Sequence, residues 1–204
     1  MAVKFDKKAD LEPAWDIAHL FPLQGAWSEA DYLALDTNHF VELSDGHLEV
    51  LPMPSERHQD IVFLLTTLLK AFVKKGRLGK VVLAPFRIRL RADKYREPDV
   101  MFMLRENEGR RTDGYWHGAD LVMEVVSPDD PKRDTEVKLG EYAQAGIAEY
   151  WLVNPLTDAI TVYTLAEGAD TYSVHDEAAA EGVVGSVLLE GFTVNAAEVF
   201  AADG

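Results

Sequence analysis

The chain contains no cysteine. That one absence excludes disulfides, thiolate zinc sites, iron–sulfur clusters and a cysteine nucleophile. No apolar run approaches the ~20 residues a membrane-spanning helix needs. Met1–Asp10 shows no apolar core behind its lysines, so no secretory signal is expected and a cytoplasmic location is. Repeats and low-complexity linkers are missing too. Basic residues vanish from 158–204, which holds nine acids and no lysine or arginine. Across 204 residues, 20 bases against 35 acids leave a net charge of −15. That total argues against tight non-specific binding to nucleic acid or an anionic membrane.

What is present is ordinary globular composition, 48% hydrophobic and 27% charged, on a chain long enough to bury a full core. The positive charge is concentrated. Residues 70–111 carry 13 bases and 5 acids, including Lys74, Lys75, Arg87, Arg89 and Arg96. Such a stretch is either a local polyanion-binding face or the counter-charge that neutralises the acidic remainder.

The periodicities alternate between strand and helix. Two short apolar runs flank Ser44-Asp45-Gly46, a hairpin signal. Ser55 is placed to cap a helix over 56–75, whose stripe is Ile61, Leu65, Leu68 and Phe72 and whose end is Lys74-Lys75-Gly76. Val81–Leu90 reads as a strand with Arg87 and Arg89 on its polar face. Asp99–Leu104 and Leu121–Val126 are nearly continuous apolar runs, expected of strands covered on both faces. A second helix is predicted over 134–145, a strand over 149–153, a hairpin over 160–165 and 171–175, and a last strand over 187–192. The pattern predicts a mixed α/β fold around one central sheet.

Glu124 interrupts the run Leu-Val-Met-Glu-Val-Val. An isolated carboxylate there would cost several kcal/mol unless a proton, a basic partner or a metal relieved it. Asp99 follows Pro98 and opens another apolar strand. If the two strands are neighbours, both acids reach one point, and a divalent cation resolves their repulsion. The structural alternatives are an ion pair of Glu124 with Arg87 or Arg89, and a turn role for Asp99. Lys138 has Asp134 one turn before it and Tyr142 one turn after; Asp134 and Lys138 also suit a solvated i,i+4 pair. His58 opens the first helix, where a histidine is commonly a surface residue.

These stretches together resemble the Uma2 family: Leu43-Ser-Asp-Gly46, Pro54-Ser-Glu-Arg-His58, Pro98-Asp-Val100, Leu121-Val-Met-Glu-Val-Val-Ser-Pro128, Arg133-Asp134 with Lys138, and Tyr142 to Val153. The resemblance spans roughly residues 25–190. It implies the PD-(D/E)XK, restriction-endonuclease-like fold, an αβββαβ core with a mixed sheet flanked by helices and extra β-hairpins. It further implies a single domain over 25–192 with an extension at 1–24 and a tail at 193–204. Asp99, Glu124 and the carbonyl of Val125 would then bind Mg2+ or Mn2+. Lys138 and His58 would serve catalysis, and Glu42 would border the site. The superfamily lysine normally stands two residues after the acid; here that position is Val126, and Lys138 on the following helix is the expected substitute. The implied activity is hydrolysis of DNA by a homodimer, with Lys74, Lys75, Arg87 and Arg89 on the phosphates and no nucleotide cofactor or membrane partner. The rivals are a catalytically silent binding or assembly module, and a metal-dependent hydrolase of a smaller phosphate ester.

Overall fold

The computed structural model describes residues 21–201, Asn38 excepted; the expected extension lies mostly outside them. Helix α1 (Glu29–Ala34) is closed at its start by a capping box between Ser28 and Asp31. Strands β1 (Val41–Ser44) and β2 (His47–Val50) form the anticipated hairpin. Its turn needs two left-handed residues, which Asp45 (φ 50°) and Gly46 (φ 80°) provide. Helix α2 (Glu56–Gly76) starts where Ser55 accepts a hydrogen bond from the His58 amide. The left-handed residue at its end is Arg77 (φ 54°), not Gly76 as anticipated.

Val81–Leu90 is not one strand. Pro85 cannot donate to a sheet ladder, and the chain divides there into β3 (Gly79–Leu83) and β4 (Arg87–Arg91). The two belong to different sheets. After β5 (Lys94–Arg96) and β6 (Val100–Leu104), the polar segment contains a 3-10 turn over Arg105–Arg110 and β7 (Tyr115–His117). Next come β8 (Leu121–Val125), a π-helical turn over Arg133–Lys138, α3 (Leu139–Gln144), β9 (Glu149–Asn154), β10 (Ala159–Thr164) and β11 (Ser173–Ala179). The anticipated strand at 187–192 is a turn region, flanked by β12 (Val183–Gly185) and β13 (Thr193–Asn195). Residues 193–200 are no loose tail. They carry β13 and α4 (Ala196–Phe200) and bury Val194, Ala196 and Val199 in the core.

A mixed six-stranded sheet, β11-β10-β9-β8-β6-β3, has β8 and β9 parallel at its centre. A five-stranded sheet, β2-β1-β5-β4-β7, stands apart, so the single sheet read from sequence is in fact two, with a small β12-β13 pair besides. Alternation along β8 divides the core. Leu121, Met123 and Val125 join Ile61, Leu65, Leu69 and Val73 of α2. Val122 and Val126 join Tyr142 and Tyr150 on the opposite face. Each fully buried aliphatic chain contributes roughly 1.5–3 kcal/mol. Among the described residues no helix is long and apolar enough to cross a membrane.

Candidate active site

Strands β6 and β8 run antiparallel with Val100 opposite Met123. The next pair in that register is Asp99 and Glu124. The backbone ties them together: the Asp99 amide donates to Glu124 Oε2 at 3.4 Å, and the Val125 amide donates to Asp99 Oδ2 at 2.8 Å. Glu124 alternates with Leu121, Met123 and Val125, so it faces the segment bearing Lys138. There Lys138 Nζ lies 3.0 Å from Glu124 Oε1 and 3.1 Å from Asp134 Oδ1. Lys138 is thus turned inward and buried, and its pair with Asp134 is not solvated. Neither Arg87 nor Arg89 pairs with Glu124: Arg89 forks onto Glu29 at 2.9 and 3.1 Å, and Arg87 faces Glu97.

Two tyrosines brace the floor. Tyr142 donates its hydroxyl to Glu124 Oε1, and Tyr150 donates to the Asp134 carbonyl at 3.0 Å. The Ser127 amide reaches Asp134 Oδ2 at 3.4 Å. Asp134 and Tyr142 therefore join the site, although sequence reading treated them only as neighbours of Lys138. The available signal was their spacing: one turn before and one turn after a lysine that follows the acidic strand.

The solvent-facing rim is His58 and Asp99. His58 Nε2 lies 3.2 Å from Asp99 Oδ2, with side chains 17% and 16% exposed. Its Nδ1 is buried without a partner among the described residues. Ser55, by capping α2, aims this first turn at the end of β6.

Three carboxyls, Asp99, Glu124 and Asp134, share the pocket with Lys138 and His58. Burial pushes the Glu124 carboxyl up to about 8, helped by Asp99 and Asp134 and restrained by Lys138. Burial works against the Lys138 ammonium, but Glu124, Asp134, Glu42 and Asp99 outweigh it and hold the proton on. Burial is the largest single influence on His58 and lowers it, but the bond to Asp99 together with the charges of Asp99, Glu124 and Asp134 outweighs burial and shifts it upward.

The donor set suits a hard cation that keeps part of its water shell. Asp99 retains a second oxygen, Glu124 is held by a weak amide contact on Oε2, and the strand carbonyls are oxygen donors. Among the described residues no three His, Asp or Glu side chains cluster as a complete metal cage. Mg2+ is commonly held by one or two carboxylates together with waters and substrate phosphates, so two acids fit it, whereas a dehydrated all-protein site is not formed.

Glu42 is fully buried beside this pocket, but it belongs to an ion network. Its Oε2 meets Arg133 and, at 3.4 Å, Arg96; its Oε1 accepts from the Glu97 amide at 2.9 Å. Lys74 and Lys75 sit in the last turn of α2. At ~1.5 Å per residue, Lys74 is about 24 Å along the helix from His58.

The sequence model of one family, Uma2, described as "Putative restriction endonuclease", matches residues 29–197. No curated protein matches the chain. Among solved structures it is similar to a "putative nuclease belonging to DUF820" from Anabaena variabilis ATCC 29413. The two share 19% identity with a TM-score of 0.71, over 86% of this chain and 98% of the other. That likeness shows a shared, restriction-endonuclease-like fold.

Proposed function

This chain belongs to the Uma2 family, and we propose that it is a cytoplasmic, divalent-metal-dependent endonuclease whose acids Asp99 and Glu124 serve hydrolysis of DNA phosphodiesters. The observation that carries this reading is the register. Two carboxylates sit opposite each other at the end of β6 and β8, one partly exposed beside His58 and one buried beside Lys138. Asp99, Glu124 and the Val125 carbonyl would hold Mg2+ or Mn2+. Such an ion neutralises the phosphoryl oxygens and acidifies water when bound.

The remaining steps belong to the chain's own residues. Lys138 presents a fixed ammonium to the charge that develops on the phosphoryl group, pre-oriented by Glu124 and Asp134. It replaces the lysine missing at Val126. His58, kept protonatable by Asp99, supplies a proton to the leaving oxygen. Tyr142 and Tyr150 hold the acids in place. Arg89, Lys74 and Lys75 contact the phosphate backbone and position it without reading sequence, while Arg87 is engaged with Glu97 and Tyr32.

The test is Mn2+ calorimetry together with cleavage of single-stranded DNA, double-stranded DNA and RNA. Wild type should bind the ion and cleave DNA, and Asp99→Asn and Glu124→Gln should do neither. Equal cleavage by wild type and both variants would sink the assignment. One observation favours a second reading, a silent binding module: Lys138 and Tyr142 already engage Glu124 Oε1. Absence of both cleavage and metal binding would support it. Cleavage of a small phosphate ester but not DNA would narrow the substrate instead.

The assembly we propose is a homodimer, because β3 and β11 are open edges of the six-stranded sheet. Sedimentation of a single ~23 kDa species at micromolar concentration would overturn it.

A further inference from the structure

A second concavity is lined by Glu97, two residues along the chain from Asp99. It has a volume of about 480 Å3 and is bordered by His39, Phe40, Pro85, Arg87, Glu97 and Gly114. That volume is in the range of small-ligand pockets. Its walls combine flat apolar surface from Phe40 and Pro85 with one acid and one base.

The acid is unusual. Glu97 is 6% exposed, and its Oε2 is buried without a hydrogen-bond partner among the described residues. A buried carboxylate oxygen left unpaired is costly, and a ligand donor would recover that cost. Its cation is Arg87, at 3.5 Å from Nε to Oε1, longer than a good hydrogen bond. Arg87 is pinned by a different contact: its guanidinium lies 4.5 Å above the centre of the Tyr32 ring. Tyr32 is fixed in turn by donating to the Val41 carbonyl at 2.8 Å. The pair therefore presents an acceptor and a planar donor side by side, each with bonding capacity to spare, between flat walls.

The position relates this concavity to the strand being cut. Glu97 and Asp99 are two residues apart, which spans at most about 7 Å. The wall is tied to the same point, because the Ala84 amide, next to Pro85, donates to the Asp99 carbonyl at 3.2 Å. A strand whose phosphate lies at Asp99 carries a base within reach of Glu97.

We propose that the Glu97–Arg87 concavity is a nucleobase subsite, which takes one unstacked base of the substrate strand and reads its hydrogen-bonding edge. The Watson–Crick edge of every base sets a donor next to an acceptor, which matches a carboxylate beside a guanidinium. Enzymes that act on nucleic acid read an extruded base by such edge contacts together with apolar or aromatic stacking. The inference rests on the nuclease reading for its substrate strand.

The test is separable from cleavage. The four deoxynucleosides, with deoxyribose as the baseless control, are titrated into the intact protein. Amide shifts at Phe40 and Gly114 are followed by NMR. At least one deoxynucleoside should shift both, and deoxyribose should shift neither. Glu97→Gln, which replaces an acceptor oxygen with a donor at nearly constant size, should weaken the preferred base by about tenfold or change which base is preferred. Arg87→Met should abolish the shifts, with circular dichroism confirming that each variant is folded. No shift with any deoxynucleoside at roughly 10 mM, or equal shifts with deoxyribose, would overturn the subsite whatever the variants do. Base binding without metal-dependent cleavage would retire the nuclease reading while keeping the subsite. Cleavage without base binding would do the reverse.

Discussion

Two buried charge clusters meet along one helical segment. Lys138 belongs to the acidic pocket, and Glu141, less than one turn later, belongs to the second cluster. That second cluster is balanced: Glu42, Glu49 and Glu141 face Lys94, Arg96 and Arg133. Arg96 forks onto Glu141 at 2.8 and 2.9 Å, Lys94 reaches Glu141 at 2.6 Å, and Arg133 joins Glu42 to Glu49. It links β1, β2 and β5 of the five-stranded sheet to the turn and helix that carry Lys138. The pocket, in contrast, sets Asp99, Glu124 and Asp134 against Lys138 and His58 and opens to solvent at Asp99. Balance with many fixed partners marks an internal clamp, whereas carboxyls that face an opening remain available to bind.

The strongest way to break the contrast is to unbalance the clamp. Arg96→Met removes the guanidinium shared by Glu42 and Glu141 and leaves Glu42 to Arg133 and Glu141 to Lys94. Removing one partner of a buried pair costs ~3–5 kcal/mol, and that loss is expected in urea unfolding. A loss below about 1 kcal/mol would mean that the network relaxes freely and does not hold the five-stranded sheet to the segment that carries Lys138. The acidic pocket should respond differently. Glu124→Gln keeps the volume and relieves repulsion, so stability should be nearly unchanged. Its cleavage rate should fall about 100-fold or more, the equivalent of several kcal/mol of lost phosphoryl charge stabilisation. Unfolding of Glu124→Gln with the severity of Arg96→Met would erase the distinction.

Proton linkage sharpens the same comparison at smaller amplitude. Burial raises the Glu42 carboxyl, but Lys138, Arg96 and Arg133 outweigh it and leave the group below its ordinary 4.5. A depressed pKa adds stability above the unfolded value and loses it as pH falls through the folded one. Glu42→Gln should therefore flatten the acid limb of the stability curve below about pH 4.5. Glu124 has the opposite sign. Raised to about 8, it adds stability that is complete below 4.5 and is lost as pH climbs through 8. In chelator, Glu124→Gln should gain on wild type across that window. Thermal melts of both variants that differ from wild type in the same direction at both ends of the pH range would refute the opposed signs.

The acids were legible for a simple reason. A charged residue inside an apolar strand has few explanations, and Asp99 and Glu124 each interrupt or open such a run. Helix α2 was legible because its period and its Ser55 cap agree. The clamp was not legible. Arg96 lies in a three-residue strand, β5, too short for any period, and its partners come from three separate elements. Asp134 was hidden by chemistry: an Asp–Lys pair at i,i+4 reads the same whether solvated or buried. The break at Pro85 was visible as a residue, but the apolar pattern on both sides suggested continuity. Core burial of Val194 and Val199 could not be foreseen from a short, acidic terminal stretch.

The smallest expected effect concerns the basic end of α2. Lys74 and Lys75 lie about 24 Å of helix from His58, at a terminus whose dipole already favours cations. If they touch DNA, they touch phosphates several base pairs from the one being cut, so they add affinity rather than chemistry. Lys74→Ala/Lys75→Ala should therefore weaken binding at low salt. It should lower the slope of log K against log salt by up to about 2, near 0.9 for each lost contact on duplex DNA. The difference should shrink as salt rises, while the cleavage rate at saturating DNA stays within about twofold. An unchanged salt slope would remove both lysines from the interface and leave them a structural role as counter-charges to the exposed carbonyls of α2. The polyanion contacts would then have to come from Arg89, which lies on the sheet that borders the acids.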